Sequence, residues 1–129
     1  MLFRPGVFIF TLFFTNLGFA GNIITNKNLS LTEADVKDVF TGEKLSAGDL
    51  TLKVVDNKTA IEEFCQKVLG LNKSKYTSLW AKKAFQDGIP FPKIQISDSA
   101  VIEFVKFTPG SIGYINGEAS SDVRKLMSY

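Results

Sequence analysis

The stretch "VVDNKTAIEEF", Val54–Phe64, sets the reading of the fold. Two β-branched apolar residues suit a strand. Asp-Asn-Lys-Thr suits a tight polar turn. Ile61, Phe64, Cys65, Val68 and Leu69 then recur at i, i+3, i+4, i+7 and i+8, the apolar stripe of an amphipathic helix, which Gly70 ends. A strand that feeds straight into a helix is the building unit of α/β proteins. Backbone N–H groups at a helix start attract anions, so the turn from Asp56 to Thr59 is the first candidate for a ligand position. Cys65 lies on the apolar stripe and reads as a buried structural thiol.

Working outward, the same alternation continues on both sides. Upstream, "NIITN" (Asn22–Asn26) is a strand candidate. Thr32 with Asp35 makes a capping-box pattern, Val36, Val39 and Phe40 share a helix face, and Gly42 stands where a helix terminates. "LTLKVV" (Leu50–Val55) is the strand that enters the central turn. Downstream, Tyr76, Leu79, Trp80 and Ala84 share a helix face that "DGIPFP" closes, with Trp80 read as core. "KIQI" (Lys93–Ile96) is a short strand, and Ser97 or Asp98 caps a helix with Val101, Phe104 and Val105 facing in. Pro109-Gly110 makes a turn into a further strand. Gly113 inside it signals a close backbone approach, and Tyr114 is expected to be half-buried. Val123, Leu126 and Met127 predict a short closing helix.

The chain has 129 residues, enough for one domain, with 45% hydrophobic and 22% charged residues, the balance of a folded protein. Fifteen basic and 13 acidic residues leave a formal net charge of +2, interspersed without a basic stripe, so nucleic acid is not an expected partner. There is no histidine, and Cys65 is the only cysteine. Ser-His and Cys-His catalysis and histidine or cysteine metal sites are therefore excluded. No cofactor or metal is expected. Asp35, Asp38, Asp56, Glu62 and Glu63 are the carboxylates available for acid/base work, and most of them sit at the spacing of a solvated helix face.

The first twenty residues form a separate segment. Arg4 is their only charge, an apolar core runs from Val7 to Phe14, and the segment ends small-x-small at Gly18 and Ala20. That pattern predicts a signal peptide over 1–20, cleaved after Ala20, and a domain over 21–129 exported to the periplasm. A membrane span needs about 20 apolar residues, so no stable membrane insertion is expected after cleavage.

Three pieces in order carry a resemblance: "NIITNKNLSLTEADVKDVFTGEK", "VVDNKTAIEEFCQKVLG" and "FTPGSIGYI", with "YTSLWAKKAFQDG" between the last two. The chain resembles the substrate-binding proteins of ABC-type phosphate uptake, in particular short relatives with little more than one lobe. The resemblance implies an α/β three-layer sandwich with a central, mostly parallel sheet, like one lobe of a type II periplasmic binding protein. It also implies a non-enzymatic, secreted protein that binds phosphate or another small anion. The ligand contacts carried over are Asn57, Lys58 and Thr59, with Thr59 supplying the hydroxyl. Where the family commonly places an arginine, this chain has Ile61, and Lys58 offers only a point charge. The alternative reading is an adaptor or structural module that binds another envelope protein, its anion site lost.

Overall fold

A computed structural model describes residues 21–129; the signal peptide expected over 1–20 lies outside the described residues. The described residues open with β1 (Asn22–Thr25) and a single 3-10 turn (Glu33–Asp35) that runs into helix α1 (Val36–Phe40). A small hairpin, β2 (Ser46–Ala47) and β3 (Leu50–Thr51), precedes β4 (Lys53–Asn57). Helix α2 (Ile61–Phe64) continues as a wider π-helical turn (Cys65–Leu69), and α3 (Lys73–Asp87) follows. The remainder is β5 (Lys93–Gln95), α4 (Asp98–Phe107), β6 (Ser111–Ile115) and β7 (Arg124–Ser128).

The five-stranded sheet has the order β5-β4-β6-β1-β7. β4 runs parallel to both β5 and β6, whereas β1 is antiparallel to both β6 and β7. Every strand but β1 therefore points the same way, so the sheet is mixed in its pairings and mostly parallel in direction. Helices cover both faces, which makes the three-layer α/β sandwich. On one face α1, α2 and α3 bury Phe40, Phe64, Tyr76 and Trp80 against Ile23, Ile112 and Tyr114. On the other, α4 packs Val101 and Val105 against Ile24, Val55 and Ile115. Adjacent strand residues divide between the two cores, as the pleat requires.

The first core is aromatic at its centre. Phe64 stacks flat on Tyr114 with ring centroids 3.9 Å apart, and Phe40 meets Phe64 edge-on at 4.7 Å. Tyr114 is fully buried, not half-buried, because β6 is central and its ring is sandwiched in this cluster. Trp80 is core as expected, and its indole N–H donates to the Phe40 carbonyl at 3.0 Å. Cys65 is buried on the expected stripe, and burial pushes its thiol up to about 11, where it is a poor nucleophile.

Local signals explain the ends. The Thr32 N–H donates to the Asp35 carboxylate at 2.9 Å, completing the capping box. The Ser97 side chain accepts from the Ala100 N–H at 3.1 Å and caps α4. Gly113 marks the close approach its position signalled: a Cβ there would lie 2.5 Å from Val55 Cγ1 and 2.9 Å from Val101 Cγ1. The bare backbone lets α4 seat tightly on the sheet.

Two elements differ from the sequence reading. "LTLKVV" is split at Leu52, whose N–H donates to the Leu45 carbonyl. Leu50–Thr51 folds back on Ser46–Ala47, and the main strand runs on through Asp56 and Asn57. The closing segment is a strand, not a helix. β7 pairs Met127 with Ile23 and Lys125 with Ile24, so Leu126 is an extra, bulged residue. The bulge sends Leu126 and Met127 to the same core. That is why the spacing of Val123, Leu126 and Met127 mimics a helix stripe.

Candidate functional site

In parallel α/β sheets, ligands gather at the carboxyl ends of the strands. Here that end is built from the last residues of β4 and β6, the start of α4 and the loop after β6. Asn57 ends β4 and is fully buried. Its side-chain N–H group donates to Asp98 Oδ1 at 2.8 Å and to the Tyr114 carbonyl at 3.1 Å. Its carbonyl oxygen accepts from the Thr59 N–H at 3.0 Å and from the Thr59 hydroxyl at 2.6 Å. All four of its hydrogen-bonding positions are thus filled within the chain.

Thr59 and Lys58 are exposed on the turn. The Lys58 N–H donates to the Gln95 carbonyl at 2.9 Å and ties the turn to β5. Its ammonium enters no ion pair among the described residues. The Ala60 N–H donates to the Asn57 carbonyl at 3.0 Å. The structure therefore brings Asn57, Lys58 and Thr59 together and spends the Thr59 and Ala60 donors on Asn57. Ile61 is buried in the aromatic core, so the position where the resemblance calls for arginine faces inward. Of the first-turn acids, Glu63 pairs with Lys67 at 3.2 Å. Arg124 lies on β7 and donates to the Lys27 carbonyl, away from this turn.

Asp98 was read only as a possible helix cap, yet it is the hub of the site. Oδ1 accepts from Asn57 and from the Asn116 N–H at 3.0 Å; Oδ2 accepts from the Gly117 N–H at 2.9 Å. The Asn116 side chain reaches back to the Thr59 carbonyl at 3.3 Å. A carboxylate held by two successive backbone N–H groups and an amide occupies the donors that an external anion would use. Only "NG" after the last apolar strand residue hinted at this in the sequence.

Behind the turn lies a second polar group. Asp56 is nearly covered, and its Oδ1 accepts from the Tyr76 hydroxyl at 2.8 Å and the Tyr114 hydroxyl at 2.9 Å. Burial pushes the carboxyl up to about 6, against the two hydroxyl donors, which pull it down. The same burial raises both tyrosines, so they remain neutral donors.

The fold is similar to part of several solved structures. A putative phosphate ABC transporter substrate-binding protein with bound phosphate from Clostridium perfringens superposes with a TM-score of 0.62 at 19% identity, over 84% of this chain and 44% of that one. An ABC-type phosphate transport receptor from Vibrio cholerae gives 0.54 at 14% identity, over 84% and 46%. PstS from Borrelia burgdorferi gives 0.51 at 18% identity, over 75% and 40%. The chain spans less than half the length of each. No protein-family model and no curated protein matches it. Among the described residues no helix is long and apolar enough to cross a membrane.

Proposed function

We propose that this chain is an exported, non-enzymatic binding-protein-like domain whose strand-end site has turned largely inward, so that it holds phosphate or a similar small anion weakly. The observation that carries this reading is the Asp98 carboxylate, bound to Asn57, Asn116 and Gly117 where an incoming anion would sit. Its negative charge also opposes a second anion nearby. Asn57, Lys58 and Thr59 form the proposed ligand turn: Lys58 supplies charge from the surface, while the donors of Asn57 and Thr59 are already spent within the chain, which is why the hold is weak. The likeness in fold to a protein with bound phosphate supports the class of ligand. An open site on one lobe leaves the anion to water and salt screening.

Calorimetry against phosphate at low salt tests it. The expected affinity of the unmodified protein is no tighter than roughly millimolar, about −4 kcal/mol. Asp98→Ala frees the two backbone N–H groups and removes the charge, and is expected to tighten phosphate about ten-fold, the effect of one charge-assisted contact. Asp98→Asn removes the charge while keeping an acceptor, and serves where the alanine variant melts early. Micromolar binding by the unmodified protein overturns the reading, as does an unchanged affinity in both variants. Export is tested separately: N-terminal sequencing of protein from a periplasmic extract is expected to begin at Gly21, and an intact Met1 in the membrane fraction refutes it.

A further inference from the structure

At its β5 side the sheet ends in a short strand that leaves surface uncovered. β5 pairs with β4 only from Val55↔Lys93 to Asn57↔Gln95, so Lys53 and Val54 have no rung on that side. Pro90 and Pro92, which lack an amide N–H, lead into β5 and do not extend the ladder. A groove of about 440 Å³ opens at this notch, at the opposite end of the strands from Asn57 and Asp98, with Leu52, Val54, Trp80 and Phe91 among its walls. Its charged lining is Lys44, Lys53 and Lys93, with no carboxylate. None of these lysines enters an ion pair among the described residues. Of the acids close to this lining, Glu43 is engaged by Lys83 at 2.8 Å and Asp35 by its capping box, while Asp87, next to Gly88, lines a separate depression with Lys82 and Lys83.

The apolar surface continues past the groove along the edge. Phe91 is 55% exposed, Ile94 60% and Ile96 72%. The edge is also a hydrogen-bonding template. The Lys58 N–H donates to the Gln95 carbonyl, so that carbonyl faces β4, and strand alternation turns the N–H and carbonyl of Ile94 outward. Exposed edges of this kind take an added strand, with side-chain pockets giving specificity.

We propose that β5 is the docking edge for an extended segment of another polypeptide in which apolar and acidic residues alternate. The segment adds as a further strand, seats an apolar side chain in the groove and sets its carboxylates against Lys44, Lys53 and Lys93. A second copy of this chain does not fit, because edge-to-edge pairing would bring two lysine rims together with no carboxylate between them. A small apolar anion would fill the groove and leave Ile94 and Ile96 bare.

The test is a titration of the purified protein with a capped Val-Glu-Val-Glu-Val-Glu-Val peptide and its Val-Lys counterpart, followed by a binding isotherm and by amide exchange at Ile94. The glutamate peptide is expected to bind saturably and to slow Ile94 exchange by about ten-fold or more, and the lysine peptide to do neither. The double variant Lys53→Glu, Lys93→Glu changes exposed side chains only and is expected to reverse the preference. Absence of saturable binding, equal binding of the two peptides or unchanged exchange at Ile94 overturns the proposal. So does a preference that survives charge reversal in a variant whose melting is normal. A peptide-free dimer that protects Ile94 assigns the edge to self-association and overturns it too.

Discussion

Asp56→Asn is expected to flatten the dependence of stability on pH between about pH 4 and pH 7. The folded protein holds the Asp56 carboxyl at about 6, above its ordinary 3.8, because burial disfavours the charged form. Between those two values the folded state binds the proton that the unfolded state has released, so stability falls as pH rises. The stabilisation is whole below the unfolded value and is lost as pH passes through about 6. A shift of roughly two units corresponds to about 3 kcal/mol. The Asn carbonyl still accepts from Tyr76 and Tyr114, and nothing remains to ionise. Its N–H group, where Asp has an oxygen, gains no designed partner and costs about 1–2 kcal/mol. The variant is therefore expected to be less stable than the parent at pH 4 and level or better at pH 8. Urea denaturation across that range checks it, read as the difference between the two profiles so that other groups cancel. The chain has no histidine to confuse the window. Parallel profiles would show that Asp56 is not held away from water.

Gly110→Ala is expected to cost about 3 kcal/mol or more. Gly110 sits at φ +80°, where an L side chain costs about 1–2 kcal/mol. A Cβ there would also lie 2.4 Å from the Thr51 carbonyl oxygen, and backbone cannot rotate aside as a side chain can. Forced displacement of that kind adds about 1–3 kcal/mol. The turn matters because the Lys53 N–H donates to the Gly110 carbonyl and aligns β4 with β6. Gly48 supplies the control: its φ is +60°, and a Cβ there meets nothing within 4 Å. Gly48→Ala should cost only the backbone part. Equal losses in the two variants, measured by denaturant midpoint, would remove the contact from the account.

The helices and most strands were legible in the sequence because their signals are local. The stripe from Ile61 to Leu69, the Thr32–Asp35 box and the Ser97 cap each lie within one or two turns of chain. β7 was not legible, since a bulge at Leu126 imitates helical spacing and its partner β1 lies at the other end of the domain. The turn proposed for the ligand does lie at the end of β4, as the run from Val54 to Ile61 required. What filled its donors was not legible. Asp98 looks like any residue at a helix start, and only the fold brings it to Asn116, Gly117 and Asn57. The burial of Ile61 had the opposite character: its place on the apolar stripe already said that no arginine could face solvent there.

The position of β1 bears on the order in which the chain can fold. This first strand is flanked only by β6 and β7, and its Asn22 bonds to Gly117 and Ser128 across 95 and 106 positions of sequence. Contacts of such separation close late, because the loop entropy is spent before they form. A nascent chain that still lacks β6 and β7 has no partner for β1 and no centre for its sheet. If the chain crosses a membrane as proposed, its topology keeps this domain open for threading until β6 and β7 have been made, and the same delay leaves Ile23 and Ile24 uncovered for whatever chaperone meets them first.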